Sequence, residues 1–233
     1  MSVSRLLLFD IDGTMISCRG RGVRAMHRAI QDLYRLPPAQ AEVPAYGKTD
    51  PMLFEEVGAA YGLGPEEIEA RGTELAARYL EILATDLATA DACSPKPGVG
   101  ALLAALGKRP EVALGLVSGN LEPAAWLKLQ AAGLHGFFAA GAFGSDHRER
   151  AHLVGLAIRR LSGRHGCRFA SRQVWVVGDT PADVESGRAH GTRTLAVATG
   201  GYTHAALAAT GADHVLEDLA ATGTVIDILC RPE

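Results

Sequence analysis

The chain has 233 residues, 48% hydrophobic and 21% charged, the composition of a folded globular protein rather than a disordered or collagen-like one. Its net charge of -3 gives no electrostatic reason to expect nucleic acid or an anionic membrane as partner. No apolar stretch approaches the length that spans a bilayer, and 233 residues suit one large domain or a core with a smaller companion.

The first element is the apolar run Leu6-Leu7-Leu8-Phe9, which stops at Asp10-Ile11-Asp12-Gly13-Thr14. It reads as a buried strand ending at an acidic, glycine-containing turn. Four apolar residues are too few for the core of a signal peptide. From Val23 the pattern turns helical, with Met26, Ala29, Ile30 and Leu33 at three- and four-residue intervals, until Leu36-Pro37-Pro38 stops it. A loop with Gly47-Lys48-Thr49-Asp50-Pro51 follows, in which Thr49 or Asp50 is placed to cap the next helix. That helix carries Met52, Leu53, Val57 and Tyr61, and a third helical stretch is predicted over 65–88. Beyond Pro97 the texture alternates. Helices are predicted over 99–106, 124–132, 150–161 and 182–190. Strands are predicted over 111–117, 137–143, 173–177 and 194–197, with 213–215 as a final edge strand. Strands alternating with helices imply right-handed crossovers and a parallel, doubly wound α/β sheet, with an all-helical insertion after the first strand. Cys18, Cys93, Cys167 and Cys230 are scattered, with neither metal-site spacing nor a secretory framework, and are expected as reduced thiols in a cytoplasmic protein.

In open parallel sheets, ligands bind beyond the carboxyl ends of the strands near the switch point. Asp10 with Asp12, Ser118, and Asp179 with Asp183 each follow an apolar run, so adjacent parallel strands would bring them together. Converging carboxylates repel and lose hydration, which calls for a divalent cation; oxygen ligands with room for water and phosphate favour Mg²⁺ over Zn²⁺.

Asp10-Ile11-Asp12-Gly13-Thr14 resembles the first signature of the haloacid dehalogenase superfamily of phosphohydrolases. Leu116-Val117-Ser118-Gly119-Asn120 resembles the second, and Val177-Gly178-Asp179-Thr180-Pro181-Ala182-Asp183 the fourth. The resemblance covers the α/β core, expected at 1–15 and 91–233, and the insertion at 16–90 falls where the family places its type 1 helical cap. It implies that Asp10 is the nucleophile and that Asp12 is general acid and then base. It implies Mg²⁺ on the Asp10 carboxylate, the Asp12 backbone carbonyl and Asp179, with Asp183 fixing a metal-bound water. Phosphate would be held by the amides of Asp12, Gly13 and Gly119, the Asn120 loop and the Ser118 hydroxyl. An acid at position 12 argues for phosphate monoester chemistry over dehalogenation, because halide leaves without a proton.

The third signature departs from the family, which supplies a lysine where this chain has none between Gly144 and Leu161. Arg150 is favoured as the replacement, with Arg148 second, since a guanidinium binds phosphate and carboxylate at two points. Lys48 on the interhelical loop resembles the cap loop of phosphoglycolate-phosphatase-like members, and Arg19, Arg21 and Arg24 follow the first linker. Cap closure about linkers near 14–17 and 90–97 would exclude water. The reading is a Mg²⁺-dependent phosphatase of a small phosphorylated metabolite, acting without nucleic acid or membrane, as a monomer or weak homodimer. A β-phosphoglucomutase-like phosphomutase and a non-catalytic binding protein on the same fold are the alternatives. Substrate identity and oligomeric state lie beyond the sequence.

Overall fold

The computed structural model describes residues 3–38 and 43–231. The chain opens with β1 (Arg5–Phe9), β2 (Ile16–Ser17), α1 (Arg21–Tyr34), α2 (Asp50–Ala59), α3 (Pro65–Ala70) and α4 (Gly72–Leu87). It continues through β3 (Ser94–Pro95), α5 (Val99–Leu106), β4 (Val112–Ser118), α6 (Glu122–Ala131) and β5 (Gly141–Phe143). It ends with α7 (Arg150–His165), β6 (Val174–Gly178), α8 (Pro181–Ala189), β7 (Arg193–Val197), α9 (His204–Ala208), β8 (His214–Leu216) and α10 (Thr222–Cys230).

Six of the strands form one sheet in the order β5-β4-β1-β6-β7-β8, and every pairing is parallel. Successive side chains on a strand point to opposite faces, and both faces of this sheet are covered. Leu7 and Phe9 pack with Leu116, Trp175, Val177 and Leu195 on one face. Leu6 and Leu8 pack with Val117, Val176, Leu153 and Val154 on the other. That is why β1 is an unbroken apolar run rather than an alternating one. The register aligns Phe9 with Leu116 of β4 and with Val177 of β6, so Asp10, Ser118 and Asp179 leave the sheet at nearly one level. The chain builds β4 and β5 on one side of β1, then crosses to β6 on the other. The crevice beside β1 is therefore the switch point.

The inserted residues form a helical cap in which α1 packs against α4 through Ala25, Met26, Ala29 and Ile30 and through Leu75, Tyr79, Ile82 and Leu83. The apolar cluster of the cap is continuous with that of the core through Ile11, Met15 and Ile16.

Three expectations are corrected. The third helical stretch is two helices, because Arg71 leaves helical geometry (φ -116°, ψ 17°) and donates to the carbonyl of Leu33 at 2.9 Å. Gly72, a poor helix former, follows it directly. The predicted strand over 137–143 pairs only at Gly141–Phe143; Phe138 instead turns in and meets Phe9 edge-on at 6.2 Å between ring centres. Cys18 and Cys93 are not free thiols but a disulfide, while Cys167 and Cys230 are free. The two linkers meet as the antiparallel pair β2–β3, with Ser17 opposite Ser94, which places Cys18 beside Cys93 just beyond the ladder. No helix among the described residues is long and apolar enough to cross a membrane.

Candidate active site

The loop after β1 turns at Gly13, whose φ of +86° suits glycine. A Cβ there would lie 2.4 Å from Asp179 Oδ2, so the absence of a side chain lets the loop lie against the end of β6. Thr14 tethers the same loop: its hydroxyl donates to Asp179 Oδ1 at 2.7 Å and lies 3.2 Å from Asp10 Oδ2.

Arg150, the first residue of α7, reaches across this floor. Its Nη2 donates to Asp10 Oδ1 at 2.7 Å and also to Asp183 Oδ1, which receives Nε at 3.0 Å as well. The other Asp183 oxygen accepts from the Thr180 hydroxyl at 2.6 Å and from the Thr180 amide at 3.1 Å, closing the first turn of α8. Arg148 goes elsewhere. It forms an exposed ion pair with Glu55 of α2, while its carbonyl accepts from the Thr49 hydroxyl at 2.8 Å. Thr49 therefore does not cap α2 with its side chain.

Carboxylate oxygens of Asp10, Asp179 and Asp183 lie within 4.8 Å of one another. Burial raises the Asp10 carboxyl to about 7; Arg150 opposes this and Asp183 adds to it. Asp179 is raised to about 8, by burial first and then by the charges of Asp10 and Asp183. Burial alone would lower Arg150, but Asp183 and Asp10 outweigh it and hold the guanidinium charged. Asp179 Oδ2 is buried with no hydrogen-bond partner among the described residues, a polar atom left unsatisfied near two further carboxylates. An all-oxygen set of three acids around one guanidinium fits a hard divalent cation.

The rim is built differently. Asp12 Oδ2 accepts from Lys128 Nζ at 2.6 Å and from Asn120 Nδ2 at 2.7 Å. Asn120 Nδ2 also reaches Ser118 Oγ at 2.8 Å, and Asn120 Oδ1 accepts from Lys128 at 2.5 Å. The cap loop docks here. The Asp50 amide donates to the carbonyl of Gly119, and Asp50 Oδ2 accepts from the amide of Leu121, each at 2.7 Å. A Cβ on Gly119 would lie 2.2 Å from the carbonyl oxygen of Lys48, so only glycine permits this approach. Burial raises Asp50 to about 6, with Lys128 opposing. Tyr79 is kept protonated, by burial first and then by the neighbouring Asp50 charge. Lys48 lies on the cavity wall with its ammonium paired to Glu56 at 2.5 Å.

Floor, rim and cap enclose a cavity of about 1010 Å³, which Asp10, Asp12, Ser118, Lys128 and Arg150 line with Lys48, Arg19 and Arg24. Arg21 lines it too, with its guanidinium on the carbonyl of Ala92 at 3.0 Å. Sequence reasoning placed Asp10, Asp12, Ser118, Asn120, Arg150, Asp179 and Asp183 as candidates, and all of them line this cavity. It missed Lys128. The signal was present: Ala124, Ala125, Lys128 and Leu129 form the buried stripe of α6, and a lysine on such a stripe needs a partner.

A parallel sheet with a helical cap and acids gathered at the ends of its central strands defines a doubly wound α/β protein with an acidic site at its switch point. The family model described as "Hydrolase: haloacid dehalogenase-like hydrolase" matches residues 5–191. The chain is 30% identical over 223 residues to a phosphoglycolate phosphatase of Rhodospirillum rubrum, covering 94% of this chain and 89% of the relative. Among solved structures it resembles a predicted phosphatase from Clostridium acetobutylicum, with a TM-score of 0.73 and 16% identity, covering 97% of this chain and 100% of the other. CbbY from Rhodobacter sphaeroides, solved with phosphate, superposes with a TM-score of 0.71 at 17% identity, covering 95% and 97% of the two chains. These two likenesses show the fold alone. The chain belongs to the haloacid dehalogenase-like hydrolase family, and within it is a phosphatase.

Proposed function

We propose that the chain is a Mg²⁺-dependent phosphatase that hydrolyses a small phosphoglycolate-like monoester through an aspartyl-phosphate on Asp10. The observation that carries this is the unequal setting of two acids on one loop. Asp10 is gripped by Arg150 on a buried acidic floor, while Asp12 opens to the cavity from the rim. The R. rubrum relative supports the choice of substrate class.

Asp10 attacks phosphorus with a carboxylate oxygen, and the bond to the ester oxygen breaks. Arg150, already on Asp10, holds that carboxylate toward the incoming phosphoryl group and offsets its charge. Asp12 gives its proton to the departing alkoxide, then takes one from the water that cleaves the acyl phosphate. Ser118 and the amides of Gly13 and Gly119 surround the phosphoryl oxygens, and Lys48 faces the rest of the substrate from the cap. When bound by Asp10, Asp179 and Asp183, Mg²⁺ supplies compensation for the negative charge gathered on floor and substrate.

The test is release of inorganic phosphate from phosphoglycolate and a panel of other monoesters, with Mg²⁺ and with EDTA. Mg²⁺-dependent release with phosphoglycolate among the best substrates is expected. Activity unaffected by chelation overturns the metal assignment; isomerisation of a sugar phosphate without release overturns hydrolysis.

A further inference from the structure

Lys128 has no part in the mechanism above, yet it is a buried cation on the rim held by two side chains. It sits on the inward stripe of α6, its side chain 7% exposed. A buried ammonium is costly unless its donors are satisfied, so its partners were built in with it. They are Asp12 Oδ2 at 2.6 Å and Asn120 Oδ1 at 2.5 Å. Burial opposes its charge, and the carboxylates of Asp12 and Asp50 more than restore it.

The geometry is a closed triangle. Lys128 donates to both Asp12 and Asn120, and Asn120 donates to the same Asp12 oxygen that Lys128 holds. Two donors on Oδ2 fix the rotation of the Asp12 carboxyl. Among the described residues no donor reaches Asp12 Oδ1, while the Asp12 side chain is 42% exposed and lines the cavity. One oxygen is thus an anchor and the other is left for a ligand.

We propose that Lys128 is a positioning residue for the leaving-group step: it clamps Asp12 Oδ2 so that Oδ1 faces the ester oxygen and exchanges the proton with it. This rests on the reading of Asp12 as general acid and base. Lys128 itself touches neither the phosphoryl group nor the leaving group. Asp50 joins the device to the cap. It shares the charge environment of Lys128 and holds Leu121 at the start of α6, so the clamp is complete with the cap loop docked.

The experiment compares esters that differ in their need for a proton. An alkyl phosphate such as phosphoglycolate requires protonation of its leaving oxygen, whereas p-nitrophenyl phosphate leaves as a stable phenolate. In Lys128→Met, kcat/KM, which covers the steps through departure of the alcohol and not hydrolysis of the shared aspartyl-phosphate, is expected to fall about 100-fold on the alkyl ester and less than about fivefold on the nitrophenyl ester, within the range that general acid catalysis supplies. Lys128→Arg, which keeps a charged donor, should recover alkyl turnover to within about tenfold of the starting protein. If Lys128→Met does not fold, Lys128→Gln carries the same comparison. Asp12→Ala is the reference. If Asp12→Ala separates the two esters and the Lys128 variants do not, the clamp is overturned and the acid stands. If Asp12→Ala itself fails to separate them, the acid reading falls and the clamp falls with it. Equal loss on both esters in the Lys128 variants shows a general structural role and overturns the proposal.

Discussion

Asp10 and Asp12 are two residues apart on one loop, yet they face opposite electrostatic settings. Asp10 lies on a floor where three carboxylates share one guanidinium, and burial pushes Asp10 and Asp179 far above the usual carboxylate range. Asp12 lies on a rim where its carboxylate has its own ammonium and open space beside it. The floor gathers more acids than its guanidinium can neutralise and invites a cation; the rim pairs Asp12 with an ammonium on which Asp50 also draws, and among the described residues no donor reaches Asp12 Oδ1. Pairs of acids whose environments differ this way take different roles in catalysis.

The sharpest break in this comparison comes from exchanging the acids one at a time. Asp10→Asn should cost at least about 10⁴-fold in kcat on every ester, since no nucleophile remains. Asp12→Ala should spare kcat/KM on p-nitrophenyl phosphate far more than on an alkyl phosphate, since that ratio stops at departure of the alcohol. Equal losses for the two variants across both esters would erase the distinction between floor and rim.

Arginine substitutions come next. Arg150→Ala leaves Asp10 and Asp183 buried without their cation and should lower kcat by about 100- to 1,000-fold. Arg148→Ala removes an exposed ion pair with Glu55 and should change kcat less than about twofold and stability by no more than about 1 kcal/mol. The reverse ranking would move the essential cation to Arg148.

The floor also makes a pH statement. Asp10 and Asp179 hold protons to about 7 and about 8 in the folded, metal-free protein but would release them near 3.8 when unfolded. The folded state then binds more protons across that window, so these groups make stability fall as pH rises from about 4 to about 8. A divalent cation competes with those protons. The thermal shift produced by a fixed Mg²⁺ concentration should therefore grow between pH 6 and pH 8.5, with apparent affinity rising by more than about 100-fold. A shift that is flat or shrinks with pH would place the cation off these acids.

The smallest effect on chemistry concerns the hinge. The Cys18–Cys93 bond closes a loop of 75 residues and should contribute about 4 kcal/mol in the chain-entropy account of disulfides. Thiol titration of the unreduced, unfolded protein should find two thiols, from Cys167 and Cys230, and reduction should lower the denaturation midpoint while kcat changes little. Four reactive thiols would remove the bond.

Most of the floor was legible in the sequence, because Asp10 and Asp179 follow directly on apolar strands, Asp183 lies in the helical turn just after, and strand ends are local features. β1, β4 and β6 read as strands, and a parallel sheet brings their carboxyl ends together. What stayed hidden depended on distant segments meeting. Lys128 and Asp12 are 116 positions apart, and a helical lysine reads as solvated until its neighbours Ala124, Ala125 and Leu129 are seen to face inward. Cys18 and Cys93 read as separate thiols until β2 pairs with β3. Arg150 is favoured over Arg148 from its place at the predicted helix start, but a string of residues leaves both open. The direction of the first turn of α7 sends one to the floor and the other to Glu55 on the cap. By itself the sequence determined the strands, the acids at their ends and the helical insertion, since apolar period and turn chemistry act over a few residues. Tertiary packing alone decided that Lys128 meets Asp12, that Arg148 turns away to Glu55 and how the hinge is tied, since charge pairing and cross-linking depend on distances that only the folded chain sets.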